Sequence, residues 1–412
     1  MSNVDLVFEG GGAKGAVFTG ALKVLLDEHG HSPARLLGTS AGAITAVSLA
    51  AGYTPDEMLA ALAEKDAAGK PVLASFLGTP EPFDEASIQK SAVRRLLADL
   101  DVPFIPDLAE TRLDNWLAGE LARNARARHL FSFVERGGWY SADPFVSWLE
   151  DRLDQPRPDG RARGYGRSTF GEFFQATGVE LTLVTADTTA ARMLLLNHRT
   201  APDLPVVWAA RMSMSVPLLW QEVEWQEEWG FYHAWDPSTG DLRPLDVTGH
   251  TIVDGGLLSN FPIALFLADR PDVAAVVGPA CTRNVLGLLI DETLKVPNRP
   301  TKPATSRFSI GGLRTLERLH RLLTTATAAH DNMAISAFAR HVVRLPAGGY
   351  STIQFDMDDD ERRPLLDAGA AAMRAFLGQQ TVLEGMPSGD EFTVGTAERA
   401  LANNAALTLL GR

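Results

Sequence analysis

Two glycine-rich motifs close to the start of the chain constrain its fold more than any other feature. Gly10-Gly11-Gly12-Ala13-Lys14-Gly15 follows a short apolar run, and Gly38-Thr39-Ser40-Ala41-Gly42 comes 23 residues later. The second motif has the pattern G-x-S-x-G, which places a serine on a sharp strand-to-helix turn with its hydroxyl exposed. Glycine occupies four of the six positions in the first motif, so its backbone N–H groups can face a developing negative charge. A nucleophile and an oxyanion stabiliser are therefore predicted within the first 42 residues.

The apolar pattern around the two motifs predicts a parallel α/β sheet. The predicted elements alternate through short loops: strand 4–9, helix 16–29, strand 34–38 and helix 41–51. This alternation is typical of a parallel sheet flanked by helices. Further strands are predicted at residues 180–187, 192–197, 251–254, 273–277 and 341–345.

Helical stretches interrupt and follow these strands. Residues 54–178 contain helical patterns joined by segments rich in proline and glycine, including a predicted exposed loop at residues 155–166. We expect a mostly helical insertion at residues 54–178 that lies over the sheet and is a candidate lid or cap. Helical patterns also dominate residues 280–412, which we expect to pack on the same core. The predicted organisation is a single domain over residues 1–412.

The first motif also fits a nucleotide-binding pattern, which is the main alternative. Gly10-x-Gly12-x-x-Gly15 matches the dinucleotide fingerprint and lies between a predicted strand and helix, as that fingerprint requires. The fingerprint needs an acidic residue about 20 residues on, at the end of the second strand. Asp27 and Glu28 lie too early, within the preceding helix. Lys14 is followed by glycine and not by serine or threonine, so a P-loop is excluded. A nucleotide-binding oxidoreductase stays open as the weaker hypothesis.

The serine needs a general base. The chain has nine histidines, but none lies in an evident catalytic context. Asp254 is the best candidate, because it ends a predicted strand and is followed by Gly255 and Gly256. Two glycines let its side chain project from a tight turn. A carboxylate is a poor base at its usual pKa of about 4. Partial desolvation and a hydrogen bond to the Ser40 hydroxyl would let Asp254 accept the proton.

The three motifs together resemble the patatin-like phospholipase family. The resemblance rests on the glycine cluster, the G-x-S-x-G motif and Asp254-Gly255-Gly256, and it spans most of the chain except residues 54–178. It extends to four shorter segments: Thr185-Ala186-Asp187, Arg211-Met212-Ser213-Met214-Ser215-Val216-Pro217, Asn260-Phe261-Pro262 and Thr352-Ile353-Gln354-Phe355. The order and spacing of these blocks make the match specific.

The resemblance implies a function and a set of roles. It implies a Ser40–Asp254 dyad that hydrolyses acyl esters of lipids through an acyl-enzyme, as phospholipases A and lysophospholipases do, without a metal or other cofactor. Gly10, Gly11 and Gly12 would form the oxyanion hole. The supporting positions of the motifs would be Lys14, Gly15, Gly38, Gly42, Gly255 and Gly256. Lys14 matches the basic position of the glycine motif, and its local alternative is a solvated lysine in the first helical turn. A catalytically silent scaffold is the remaining alternative.

Composition limits the partners and the compartment. The net charge of −13 argues against nucleic-acid binding and gives no general attraction to anionic membranes. The single cysteine, Cys281, excludes an internal disulfide framework and fits a reducing compartment. No signal peptide or transmembrane segment is predicted. We therefore expect a cytoplasmic protein that acts on a phospholipid or other lipid ester, with at most peripheral membrane contact; the oligomeric state is left open.

An aromatic segment between Trp220 and Trp235 has two interpretations. Four tryptophans, Phe231 and Tyr232 are interleaved with glutamates there. One interpretation is an interfacial patch that enters lipid headgroups. The other is a solvated hairpin whose aromatic face packs on the core, and the acidic residues favour this one because they oppose contact with anionic lipid.

Overall fold

The computed structural model describes residues 2–93, 95, 124, 128–280, 282, 284–300, 335–384 and 394–411. Its strands are β1 Asn3–Phe8, β2 Ser32–Thr39, β3 Gly138–Tyr140, β4 Glu180–Asp187, β5 Arg192–Leu196, β6 Leu218–Trp220, β7 Val223–Glu224, β8 Tyr232–Asp236, β9 Asp241–Leu245, β10 Thr251–Asp254, β11 Val285–Lys295 and β12 Val342–Gly348. Its α-helices are α1 Ala16–Leu22, α2 Ala41–Ala50, α3 Pro55–Leu62, α4 Glu85–Lys90, α5 Arg128–Glu135, α6 Asp143–Asp154, α7 Phe170–Thr177, α8 Val206–Ser213, α9 Ala264–Leu267, α10 Pro271–Val277, α11 Asp359–Glu384 and α12 Thr396–Leu409. A π-helix at Lys23–Glu28 continues α1, and short 3₁₀ turns include Gly12–Gly15 and Gly255–Leu257.

A mixed, mostly parallel sheet forms the centre of the molecule. Within the described residues, eight strands pair in the order β12-β11-β1-β2-β4-β10-β7, with β5 also paired to β4. Neighbouring strands from β12 to β4 run parallel. Strands β10 and β5 are antiparallel to β4, and β7 is antiparallel to β10. Helices cover both faces, so the predicted parallel-rich α/β fold is confirmed.

Alternate side chains of the central strands enter two separate hydrophobic clusters. In β1, Leu6 and Phe8 join the cluster on one face of the sheet, while Val7 joins the cluster on the other. In β2, Leu36 and Leu37 divide in the same way. Helices α1, α2, α8 and α11 pack on the Leu6 side, and α9, α10 and α12 pack on the Val7 side. Full burial of one such side chain stabilises the fold by about 1.5–3 kcal/mol, so the two-sided burial anchors both helical layers.

The register of β4 brings the carboxyl ends of β2 and β10 together. Strand β2 runs parallel to β4, and its last residue, Thr39, pairs with Val184. The next residue of β4, Thr185, pairs with Asp254, the last residue of antiparallel β10. Because β5 occupies the opposite edge of β4 over these residues, β10 uses the same edge as β2. Ser40 and Asp254 therefore leave the sheet side by side.

One predicted strand is a helix, and the true strand lies further along the chain. Residues 273–277 lie in α10, which has Pro271 and Asp272 in its first turn. Both residue types are favoured at a helix N-terminus, so the predicted strand was wrong. A short run of valine and alanine suits a buried helix as well as a strand. The missed strand is β11, whose first seven residues are buried.

The segments outside the sheet depart from prediction in part. Residues 155–166 are anchored, because Arg163 is buried and lies over the Tyr53 ring at 3.9 Å. Arg163 also donates to the carbonyl of Gly52 at 3.1 Å, so the predicted exposed loop is only partly correct. Residues 280–412 contribute two sheet strands, β11 and β12, besides their helices. Parts of the predicted helical insertion and of the predicted helical region 280–412 lie outside the described residues, as does Cys281.

The aromatic segment packs on the core. Trp220, Trp225 and Trp229 are buried, while Phe231 is half-exposed. This agrees with the packed interpretation, although the antiparallel hairpin is formed by β8 and β9 and so begins only at Tyr232. No helix in the described ranges has both the length and the apolar character needed to cross a membrane.

A buried ion pair joins β1 to β2, and its loss should be costly. Asp5 accepts hydrogen bonds from Arg35 through the backbone N–H at 3.0 Å and Nε at 2.8 Å. Arg35 also donates to the carbonyl oxygens of Gly278 and Phe266 on the Val7 side. We expect Asp5→Asn to lower the free energy of unfolding by about 3–5 kcal/mol, because it leaves a buried guanidinium without its counter-charge.

Urea unfolding of Asp5→Asn beside Arg374→Ala checks this prediction. Arg374 forms an exposed ion pair with Glu28, so its removal should leave the unfolding midpoint unchanged. Equal midpoint changes in the two variants would contradict the importance assigned to the buried pair.

Candidate active site

Ser40 lies at the elbow between β2 and α2. It is the N-cap residue of α2 and has φ +53° and ψ −119°, a left-handed conformation that is rare outside glycine. The glycines on either side permit this turn. A Cβ at Gly38 would lie 2.2 Å from the carbonyl oxygen of Gly42, and a Cβ at Gly42 would lie 2.4 Å from that of Phe8. Both positions of the G-x-S-x-G motif therefore require glycine on steric grounds.

Asp254 lies at the end of β10 with its carboxylate next to Ser40. The Ser40 side chain lies close enough to this carboxylate to lower its pKa, and the Gly256 N–H donates to Asp254 Oδ1 at 2.8 Å. Burial raises the pKa of Asp254 to about 7, and the Gly256 N–H and the Ser40 side chain oppose the rise. A carboxylate with a pKa near 7 is a stronger base than an ordinary aspartate.

The C-terminal end of α8 binds the backbone of both residues. The Ser40 N–H donates to Ser213 Oγ at 3.0 Å. The Asp254 N–H donates to the Ser215 carbonyl oxygen at 3.0 Å. Arg211 is fully buried below them, where it hydrogen-bonds to Ser215 Oγ and donates to the Gln221 carbonyl oxygen at 2.7 Å. Burial lowers the pKa of Arg211 to about 10.

The glycine cluster lies directly beside the serine. A Cβ at Gly10 would lie 3.0 Å from Ser40 Cβ and 2.2 Å from Asn260 Oδ1. Asn260 joins the cluster at two points, because its carbonyl accepts the Gly10 N–H at 3.2 Å and its Nδ2 donates to the Gly10 carbonyl at 3.0 Å. Among the described residues, the N–H groups of Gly11 and Gly12 have no hydrogen-bond acceptor. Two donors of the cluster are therefore available to a ligand.

The supporting motif positions take part in packing. Lys14 is 3% exposed and forms an ion pair with Glu292, so the alternative of a solvated lysine was wrong. A Cβ at Gly15 would lie 2.8 Å from Ala41 Cβ. The lack of a side chain at Gly15 therefore allows the 3₁₀ turn to approach α2. A Cβ at Gly255 would lie 2.5 Å from the Val184 carbonyl oxygen, at the point where β2 and β10 meet.

Sequence reasoning did not assign three residues that organise this site. Ser213 and Ser215 bind the backbone of Ser40 and Asp254, and Asn260 holds the glycine cluster. Glu9 supports Asn260 by accepting from its Nδ2 at 3.2 Å and from the Ile290 N–H at 2.6 Å. In the sequence, these residues lie in the R-x-S-x-S-x-P and N-F-P segments. The hydrogen-bond partners of these segments become visible only in the folded structure.

The described histidines lie elsewhere. His250 hydrogen-bonds to Asp187 at 2.8 Å, His341 to the Val285 carbonyl at 3.1 Å, and His129 to the Trp139 carbonyl at 2.8 Å. Across the described ranges, no histidine has a hydrogen bond to Ser40 or Asp254. Among the described residues, the Asp254 carboxylate is the basic group next to Ser40.

Comparison with known proteins identifies the family. The family model of patatin-like phospholipases matches residues 6–267, so the chain belongs to the patatin-like phospholipase family and to the class of lipid-hydrolysing enzymes. The chain is 27% identical over 385 residues to the uncharacterized protein YqhO of Bacillus subtilis (strain 168), covering 92% of this chain and 99% of YqhO. It is 22% identical over 259 residues to the probable lipid hydrolase 463L of Invertebrate iridescent virus 6, covering 63% of this chain and 61% of that protein.

Solved structures with a similar chain path include two bacterial proteins. VipD from Legionella pneumophila has a TM-score of 0.41 and 14% identity, covering 91% of this chain and 67% of VipD. The type III effector protein ExoU has a TM-score of 0.36 and 17% identity, covering 92% of this chain and 53% of ExoU.

The raised pKa of Asp254 should make this residue destabilising at neutral pH. Between its ordinary pKa of 3.8 and its folded pKa of about 7, the folded state keeps a proton that the unfolded state releases. The free energy of unfolding therefore falls as pH rises through this window, by about 4 kcal/mol from this group. Asp254→Asn cannot ionise, so we expect it to gain stability relative to the wild type from pH 4 to pH 7 and to keep the gain at pH 8.

Urea unfolding of both proteins from pH 4 to pH 8 measures this difference. The asparagine keeps an oxygen acceptor for the Gly256 N–H, so the comparison isolates the ionisation. A stability difference that did not change with pH would contradict the raised pKa of Asp254.

Proposed function

We propose that the protein is a lipid acyl hydrolase of the phospholipase A or lysophospholipase type that uses Ser40 as nucleophile and Asp254 as proton acceptor. One observation carries the proposal: Ser40 and the buried Asp254 leave the sheet side by side, at consecutive residues of the same edge of β4. The serine also lies at the N-terminus of α2, where the helix dipole and free N–H groups favour negative charge. Membership in the patatin-like phospholipase family supports a lipid ester as the substrate.

In the first half of the reaction, Ser40 Oγ attacks the ester carbonyl carbon while its proton passes to the Asp254 carboxylate. The carbonyl electron pair moves onto oxygen and gives a tetrahedral intermediate. Collapse of this intermediate breaks the bond to the alcohol oxygen, and Asp254 returns its proton to that oxygen. The products are the free alcohol, such as a lysophospholipid, and an acyl group on Ser40.

In the second half, a water molecule attacks the acyl-enzyme and gives its proton to Asp254. The bond between Ser40 Oγ and the acyl carbon then breaks, and Asp254 reprotonates Oγ. The fatty acid leaves, and the serine and carboxylate return to their starting states. Because Asp254 alternates between base and acid, a pKa near neutrality suits both steps.

We assign the oxyanion hole to the N–H groups of Gly11 and Gly12. These two donors have no acceptor among the described residues, whereas the Gly10 N–H is engaged by the Asn260 carbonyl. Gly10 would instead provide space, because a side chain there would meet Ser40 and Asn260. One oxyanion donor contributes about 3 kcal/mol in studied hydrolases, so the hole would carry a large part of the rate enhancement.

Substitution of the dyad tests the proposed function directly. We expect Ser40→Ala and Asp254→Asn each to lower kcat for a phospholipid or lysophospholipid by at least about 10⁴-fold, because each removes a group that bonds to the reacting atoms or their proton. A fluorophosphonate probe should label the wild type on Ser40 and should not label Ser40→Ala.

Ser48→Ala is the matched control, because Ser48 lies on the same helix and its hydroxyl donates to the Ile44 carbonyl at 2.8 Å. It should retain full labelling and full activity. Wild-type turnover by Ser40→Ala would reject the dyad, and binding of NAD(H) without esterase activity would favour the oxidoreductase alternative.

The pH profile provides a separate prediction. The carboxylate must be ionised to accept the serine proton, so kcat/KM should rise with pH up to about 7, in line with the pKa of Asp254, and then level off. Below that point we expect about a tenfold loss per pH unit. The midpoint should change little with temperature, as is typical of a carboxyl group; a midpoint that fell steeply on warming would indicate a histidine instead.

A further inference from the structure

The conformation of Ser40 needs an explanation beyond its flanking glycines. Its φ of +53° is unfavourable for a residue with a side chain and persists only where the surroundings hold it. Gly38 and Gly42 make the turn possible but do not select it. A contact that fixes the Ser40 backbone must therefore come from elsewhere in the fold.

The Ser213 hydroxyl makes this contact. It accepts the Ser40 N–H at 3.0 Å and donates to the Val184 carbonyl oxygen at 2.7 Å. Ser213 has no exposed surface, so water does not compete for either bond. Val184 is the residue of β4 that pairs with Thr39, the last residue of β2. In a parallel ladder extended by one residue, the Ser40 N–H and the Val184 carbonyl would bond to each other directly.

Ser213 therefore stands between two groups that would otherwise continue the sheet. Its hydroxyl therefore links Ser40 to Val184, at the residue where the β2–β4 ladder ends and the serine leaves the strand. Gly255 approaches the same point, since a Cβ there would lie 2.5 Å from the same Val184 carbonyl oxygen.

The same helix end also positions the second member of the dyad. The Asp254 N–H donates to the Ser215 carbonyl at 3.0 Å, two residues after Ser213. Arg211 holds Ser215 in turn through its hydroxyl. We infer that the C-terminal end of α8, acting through Ser213 and Ser215, is the positioning element that sets Ser40 Oγ against the Asp254 carboxylate. This inference rests on the proposed function.

Ser213→Ala tests the inference, because it removes both bonds with a minimal change of volume. We expect kcat to fall on the order of 10- to 100-fold, as for a reacting group displaced by about 1 Å. KM should stay within about twofold of the wild type, since Ser213 is buried away from the substrate. The rate of fluorophosphonate labelling should fall by the same factor as kcat, while labelling should still reach one probe per chain. Ser213→Thr restores the hydroxyl and should recover most of kcat.

Thr200→Val is the matched control for lost stability. The Thr200 hydroxyl is also fully buried, accepts the Asn197 N–H at 3.2 Å and donates to the Leu195 carbonyl. Its removal breaks the same kinds of bonds away from Ser40 and should leave kcat unchanged. Wild-type kcat in Ser213→Ala, or an equal loss of kcat in Thr200→Val, would overturn the positioning role.

The two hypotheses fail in different ways. If Ser40→Ala keeps its turnover, the dyad itself is wrong, whatever Ser213→Ala does. If Ser40→Ala and Asp254→Asn are inactive while Ser213→Ala is fully active, the dyad stands and only the positioning role is wrong. If Ser213→Ala does not fold, kcat of Ser213→Thr is compared with kcat of Thr200→Val. Equal values support the positioning role, because Ser213→Thr keeps the hydroxyl. A loss of kcat in Ser213→Thr alone opposes it.

Discussion

The shared edge of β4 is the constraint on which the rest of the site depends. A parallel strand and an antiparallel strand use consecutive residues of this edge, Val184 and Thr185, and their carboxyl ends meet there. No local motif could bring Ser40 to Asp254, because they belong to distant parts of the chain. The sheet does so through backbone pairing, which brings the two residues to the same edge of β4, where the end of α8 binds the backbone of both. The elbow glycines and the turn after Asp254 only accommodate that geometry.

Burial of Asp254 links the stability of the protein to its chemistry. Desolvation raises the pKa of this carboxyl to about 7, which suits its proposed role as acceptor of the serine proton. The same desolvation opposes ionisation and weakens the folded state at neutral pH. The proposed dyad therefore depends on a large core that stabilises the fold elsewhere. The two hydrophobic clusters on the faces of the sheet, with the Asp5–Arg35 pair between β1 and β2, provide this reserve.

Features encoded by neighbouring residues were predictable from the sequence, and those encoded by distant contacts were not. The elbow at Ser40 follows from glycines two positions away on either side, and the turn after Asp254 follows from the glycine pair beside it. The sequence pattern does not distinguish α10 from a strand and does not indicate β11, because short apolar runs fit both structures and only contacts with neighbouring elements decide between them. Ser213 and Asn260 were part of recognised sequence blocks, yet their hydrogen-bond partners, Ser40 and Gly10, lie far away in the sequence. Their roles become visible only once β4 has fixed the topology.

The glycine cluster illustrates how tertiary contacts decide between two meanings of one pattern. As a nucleotide fingerprint, the loop would have to leave its helix N-terminus open to a pyrophosphate. Here a side chain at Gly12 would meet the Thr352 carbonyl at 2.2 Å, and one at Gly10 would meet Ser40 and Asn260. The loop is thus enclosed on both sides, and its first glycine lies beside Ser40. Under the proposed function, donors in this loop would serve an oxygen that becomes negative during attack on a carbonyl, which is the requirement of acyl transfer and not of cofactor binding.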